Sequence, residues 1–82
     1  MMGIGMSTAF VLFKCQPQRE LEVYLALLEI EGVSETHVAY GEYDLVARID
    51  FEDEKEMAKI LIGNMRSISG VQKTETLIAV EA

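Results

Sequence analysis

One corner occurs twice in this sequence. Ile30-Glu31-Gly32-Val33-Ser34-Glu35-Thr36 returns as Ile68-Ser69-Gly70-Val71-Gln72-Lys73-Thr74, so the pattern Ile-x-Gly-Val-x-x-Thr stands at positions 30–36 and again at 68–74. Each copy follows a segment with helical spacing of apolar residues and precedes one that reads as a strand. A helix feeding a strand through the same corner, twice in 82 residues, leaves few topologies open. A helix joining parallel strands makes a right-handed crossover. Two such crossovers interleaved around a central hairpin give an α+β, ferredoxin-like βαββαβ domain. Its sheet is four-stranded and antiparallel, with both helices on one face. Two copies are too few for a solenoid.

The remaining segments fit this frame. Residues 8–15 (TAFVLFKC) are rich in Val, Phe and Leu with no breaker, and predict the first strand. Pro17 follows, suited to the first turn of a helix, where its missing N–H has no partner anyway. Leu21, Tyr24, Leu25 and Leu28 then fall at i, i+3, i+4 and i+7, widened by Val23, Leu27 and Ile30, and Gly32 ends this helix. Residues 33–40 predict a second strand with Thr36, Val38 and Tyr40 on one face. Gly41-Glu42 makes a tight hairpin. Residues 43–51 return as a third strand, with Leu45, Ala47, Ile49 and Phe51 on one face and Asp44, Arg48 and Asp50 on the other. Asp53 and Glu56 form an Asp variant of the capping box. Met57, Ile60, Leu61, Met65 and Ile68 carry the second helix to Gly70. Residues 71–80 form the last strand, with Gln72, Thr74, Thr76 and Ile78 alternating against Lys73, Glu75, Leu77 and Ala79. Residues 1–7 read as a flexible tail and residues 8–82 as the single domain.

The first strand raises a difficulty. Phe10 and Leu12 alternate with Ala9, Val11 and Phe13, so it is apolar on both sides, whereas a half-exposed antiparallel strand alternates apolar with polar. With both helices on one face, the second apolar face calls for another subunit. The plainer possibility is a central strand whose aliphatics are tolerated beside Lys14 and Arg48. A domain this short also has a marginal core, which self-association extends.

Charge and composition exclude several functions. The chain carries 14 acidic and 7 basic side chains, a formal charge of −7. Binding to nucleic acid draws on Lys and Arg neutralising phosphates, so this balance argues against a direct nucleic-acid partner and against docking on anionic lipid. No apolar run approaches the roughly 20 residues a membrane span requires, and the first residues have no basic side chain or signal-peptide core. Cys15 is the single cysteine, compatible with a reducing cytoplasm. It reads as a small buried hydrophobe; Lys14 points to the opposite face, so no activating base is at hand. His37, the single histidine, lacks the companions a metal site assembles, and reads as a surface or interface residue. The run 52–56 (EDEKE) is a solvated helix start. Gly3 and Gly5 lack the context of a phosphate-binding loop, and the five methionines read as core filler and tail. Neither a cofactor nor a metal is expected.

Two places could hold a small molecule. At residues 41–44 (GEYD) a tight turn would gather backbone amides, a phenol and a carboxylate, and Asp44 could face the ammonium of a zwitterion. Equally, Gly41 could simply turn the chain while Asp44 bonds a turn N–H. Thr74 and Thr76 place two hydroxyls on one face of the last strand, where threonine is an ordinary occupant.

Residues 39–49 (AYGEYDLVARI), the Ile-x-Gly-Val corners and the ending TETLIAV at 74–80 together resemble the effector-binding domain of the Lrp/AsnC transcription regulators, the RAM domain. The resemblance runs from about residue 9 to the C-terminus. It implies dimers formed through the sheets and larger rings built from them, commonly octamers. It also implies a small effector, usually an amino acid, bound between dimers. The effector contacts carried over are Gly41, Tyr43, Asp44, Thr74 and Thr76. The family's helix-turn-helix has no counterpart in the few residues before the first strand, so the chain resembles a stand-alone form, expected in the cytoplasm. Such a form would act through mixed assembly with full-length regulators rather than by binding DNA. Two other readings compete: a small dimeric monooxygenase-like enzyme with an intrasubunit pocket lined by groups such as His37, Tyr40 or Arg48, and a purely structural oligomerisation module.

Overall fold

The computed structural model describes residues 6–80. Most of the tail expected over residues 1–7 lies outside the described residues, and Ser7 already belongs to the first strand. The elements run β1 (Ser7–Cys15), α1 (Glu20–Leu28), β2 (Val33–Val38), β3 (Leu45–Phe51), α2 (Glu54–Ala58) continuing as a π-helix (Lys59–Met65), and β4 (Val71–Ile78). The sheet is antiparallel with strand order β2-β3-β1-β4, so β1 and β3 are central and β2 and β4 are edges. This is the βαββαβ fold with two helical segments.

The core lies between the sheet and the helices. Ala9, Val11, Phe13 and Cys15 of β1 are buried with Leu45, Ala47, Ile49 and Phe51 of β3. Because these alternate, each strand commits one face to the helices. Each large side chain fully buried here contributes about 1.5–3 kcal/mol.

The helix α1 differs from its expected orientation. Val23 and Leu27 are fully buried and Ile30 packs against them, whereas Leu21, Leu25 and Leu28 are 68%, 52% and 54% exposed. Both triplets have the spacing of a single helical face, and the helix rolls so that the smaller, β-branched Val23 meets the sheet. Pro17 also takes a different place. It lies before the helix in a turn closed by the Arg19 N–H donating to the Gln16 carbonyl at 3.0 Å, with Gln18 at φ 66°. Proline favours the second position of such turns, and its fixed φ suits that role as well as it suits a helix start.

The repeated corner has a structural reason. In each copy the valine N–H donates to the isoleucine carbonyl three residues back, Val33 to Ile30 at 3.2 Å and Val71 to Ile68 at 3.3 Å. Gly32 and Gly70 sit third in these turns with φ 101° and 100°, the positive value a type II turn requires there. The helices therefore end earlier than the glycines, at Leu28 and Met65. Each glycine also accepts the other half of the chain at close range. A Cβ on Gly32 would stand 2.7 Å from Ile60 Cδ1, and one on Gly70 would stand 3.1 Å from Arg19 Cβ and Val23 Cγ2.

The second helix opens as its capping residues dictate. The Asp53 carboxylate accepts the Glu56 N–H at 2.8 Å, and Glu56 reaches back to accept the Glu52 N–H at 2.8 Å. Beyond Ala58 the coil widens, and the Arg66 N–H donates to the Leu61 carbonyl five residues back at 3.0 Å. That i→i+5 spacing turns Ile60 and Met65, five residues apart, into the same core.

Candidate functional site

The face of the sheet away from the helices carries Thr8, Phe10, Leu12 and Lys14 of β1, Val46, Arg48 and Asp50 of β3, Lys73, Glu75 and Leu77 of β4, and Glu35 and His37 of β2. The register fixes this, since Phe10 stands opposite Arg48 and Leu77, and Leu12 opposite Val46 and Glu75. Phe10, Leu12, Val46 and Leu77 make an apolar strip there, and no described helix covers it. Phe10 remains 38% exposed and Leu77 50%.

One end of this face is a chain of charge. The Thr8 hydroxyl donates to Asp50 at 2.8 Å, Arg48 lies 3.3 Å from both Asp50 and Glu35, and His37 Nε2 lies 3.0 Å from Glu35. The Thr8 bond, then Ser34 and then Arg48, holds the Asp50 carboxyl below its ordinary value, and His37, then Arg48, does the same for Glu35. His37 thus sits exposed on the open face with one carboxylate partner. Among the described residues no cluster of three or more His, Cys, Asp or Glu could hold a metal.

The turn between β2 and β3 is longer than a two-residue hairpin. The strands stop at Val38 and Leu45, and the Ala39 N–H donates to the Asp44 carbonyl at 2.9 Å. Tyr40, at its tip, is fully exposed rather than part of β2. Gly41 has φ 126° with open space where a Cβ would stand. Asp44 is tied into the sheet: its N–H donates to the Phe13 carbonyl at 2.8 Å, and its carboxylate accepts the Cys15 N–H at 2.8 Å. It therefore anchors the end of β1, where the β1–β4 register shifts between Lys14 and Cys15. Cys15 itself is buried, and burial first, then Asp44, pushes its thiol above the ordinary value.

Tyr43 leaves this turn across the end of β1 to reach β4. Its hydroxyl donates to Glu75 Oε1 at 2.5 Å, and Lys73 Nζ stands 5.7 Å from the ring centroid. The Glu75 bond is the main reason the Tyr43 phenol is pushed up to about 12.

The five expected site residues are thus divided by the sheet. Gly41, Tyr43 and Asp44 share the turn. Thr74 and Thr76 stand opposite Phe13 and Val11, and so lie on the helix face of edge strand β4. Thr74 is half-buried there and Thr76 is exposed. Within one subunit Tyr43 instead meets Glu75 and Lys73. The alternation of β4 puts those two side chains on one face, but their meeting with Tyr43 depends on the order β3-β1-β4, which no local pattern states. A separate cleft of about 680 Å³ opens at the opposite end of the sheet, between Gly32, Asp50, Asp53, Lys59 and Asn64. His37, Tyr40 and Arg48 do not line it.

The chain is thus a small α+β domain with one sheet face under the helices, an open face carrying an apolar strip, and a polar turn at the rim. The chain matches the Lrp/AsnC ligand binding domain over residues 8–82, and belongs to that family. It is 36% identical over 76 residues to an uncharacterised HTH-type transcriptional regulator of Pyrococcus furiosus, covering 89% of this chain and 51% of that protein. The chain thus spans about half the length of the curated relatives it matches. A protein of Thermus thermophilus, 36% identical, superposes with a TM-score of 0.89 over 94% of this chain and 96% of that one. The L-Met complex of a transcriptional regulator from Neisseria meningitidis, 16% identical, has the same fold at a TM-score of 0.83, covering 95% of this chain and 51% of that chain. The matched curated relatives are described as HTH-type transcriptional regulators, and the part of the family found in this chain is the ligand binding domain. No described helix is long and apolar enough to cross a membrane.

Proposed function

We propose that this chain is an amino-acid-binding assembly domain that works in the cytoplasm and catalyses no reaction. Two copies pair through the open sheet faces, and the pairs build a larger ring such as an octamer. The effector binds between pairs, at the rim formed by Gly41, Tyr43 and Asp44, with Thr74 and Thr76 supplied from β4. Bound effector changes the assembly, and the domain passes that change to full-length Lrp/AsnC regulators by mixed assembly. The observation that carries the reading is the uncovered strip of Phe10, Leu12, Val46 and Leu77 on a domain of this ligand-binding family. The L-Met complex of the Neisseria relative supports an amino acid as the effector class. The charge of −7 supports action through protein partners rather than DNA.

Thermal melting with each of the twenty L-amino acids tests this. A ligand that binds only the folded assembly at about 100 times its Kd adds roughly 2.7 kcal/mol. For a domain of this size that raises Tm by about 10–20 °C. Tm unchanged by every amino acid at millimolar concentration would overturn the effector, leaving at most a structural assembly module.

A further inference from the structure

The side of α1 that the sheet does not receive is apolar as well. Leu21, Leu25 and Leu28 are 68%, 52% and 54% exposed, and their spacing sets them along one stripe of the helix. A single exposed leucine is ordinary, whereas three along one helix make a patch of the kind that marks an interaction surface. Glu22 and Glu29 each stand one residue beyond a leucine of the stripe, two helical turns apart, and so edge it on one side. Arg19, at the start of this helix, is taken up by Glu22 at 2.7 Å and Ser69 at 2.6 Å. Glu29 has no cation within ion-pair distance among the described residues.

The second helical segment carries the opposite sign. Ile62 is 60% exposed there, with Lys59 and Arg66, both exposed, before and after it in the chain. Neither base has a carboxylate within ion-pair distance among the described residues. Resting on the reading that pairs build a larger assembly, we propose that pairs join through this helix layer. The leucine stripe of α1 on one copy seats against Ile62, Lys59 and Arg66 of a second copy of this chain in the next pair. The open sheet face is used within a pair, so contact between pairs requires another surface. Two leucine stripes set against each other would bring Glu22 and Glu29 of both copies together, and like charges so placed repel; the basic segment avoids that conflict. A surface that carries both halves of a complementary contact is met by a copy of itself, and its repetition closes a ring where the rotation allows. α1 also begins beyond the end of β1 where Asp44 accepts the Cys15 N–H, so this contact lies beside the rim assigned to the effector.

The test is light scattering of the full chain without ligand, with far-ultraviolet circular dichroism to confirm the fold of each variant. Leu25→Glu and Ile62→Glu, both at exposed positions, each stop at the mass of one pair, twice the 9.2 kDa subunit. Glu29→Lys, and separately Lys59→Glu combined with Arg66→Glu, weaken association between pairs about 10-fold at low salt. The variant carrying all three changes, with the signs exchanged, recovers the wild-type mass. A wild type that stops at one pair overturns this proposal and leaves the sheet pairing standing. A larger wild type that Leu25→Glu leaves intact overturns it too, as does one that Leu25→Glu breaks while Ile62→Glu and the basic-segment variant change nothing. Folded variants that fall to single subunits would put the pair itself on the helices, refuting both this proposal and the sheet pairing. No amino acid is present, so the effector reading is judged separately by the melting experiment.

Discussion

Replacing Asp44 separates two roles that this carboxylate could serve. It accepts the Cys15 N–H at 2.8 Å, and Cys15 is almost entirely buried at the point where β1 shifts register against β4. Asp44→Ala leaves that N–H with no acceptor and no ready access to water. An orphaned buried donor costs about 1–3 kcal/mol, and a bond to a charged acceptor lies in the upper half of the range. A loss of about 2 kcal/mol is therefore expected. With a urea m-value of roughly 1–2 kcal/mol/M for a small domain, the unfolding midpoint falls by about 1–2 M. Asp44→Asn keeps an oxygen in the same place and costs less, about 1 kcal/mol or below, since only the charge assistance is lost. Urea unfolding of the three proteins followed by far-ultraviolet circular dichroism reads this order. Alanine and asparagine variants that unfold together at the wild-type midpoint would refute the anchoring role. A variant with wild-type stability but no ligand response would assign Asp44 to the effector alone.

Three further outcomes are expected. Leu27→Ala opens a cavity in the core and costs about 2–5 kcal/mol, while Leu25→Ala, on the exposed triplet of α1, changes stability by less than about 0.5 kcal/mol at concentrations where the chain is monomeric; equal losses would contradict the roll assigned to the helix. The Thr36 hydroxyl is buried on the core face of β2 without a partner among the described residues, so Thr36→Val removes an unsatisfied group at similar shape and stabilises by about 1 kcal/mol, read as a higher urea midpoint. Tyr43 has its phenol raised from 10.0 to about 12 in the fold, so the folded state favours the neutral form. Its contribution is fully present below pH 10 and is lost as pH rises from 10 to about 12. An alkaline titration of phenolate absorbance should show a late step that Tyr43→Phe or Glu75→Gln removes.

The topology was legible because it is written twice. The Ile-x-Gly-Val corners needed glycine for a turn with positive φ and for close packing on the other half of the chain, so the requirement left its mark at positions 32 and 70. The alternation of Ala9, Val11 and Phe13 against Phe10 and Leu12 likewise reported a strand apolar on both faces, one packed under the helices and one left open. The roll of α1 was not legible. Leu21, Leu25 and Leu28 have the same spacing as Val23, Leu27 and Ile30, and only the sheet decides which triplet it receives. A second apolar triplet left outside is itself consistent with contact to other copies. Local chemistry likewise allowed Pro17 either a helix start or a turn. The π-helical turn came from packing, since the apolar residues of the second helix fit an ordinary helical pattern well enough. At the candidate site, the turn residues were visible in the sequence while their partners were not. Tyr43 meets Glu75 and Lys73 through a strand order that joins residues far apart in the chain.

The most direct test of the account is the mass of the chain in solution, measured by light scattering for the wild type and for Phe10→Glu, which places a charge in the middle of the open sheet face. One subunit weighs 9.2 kDa. The account predicts a wild type whose mass is that of a dimer or an even multiple of it, and a folded Phe10→Glu variant that falls to smaller species. A wild type that remains at the mass of one subunit, or a variant that stays fully assembled, would contradict the claim that this face is where copies meet.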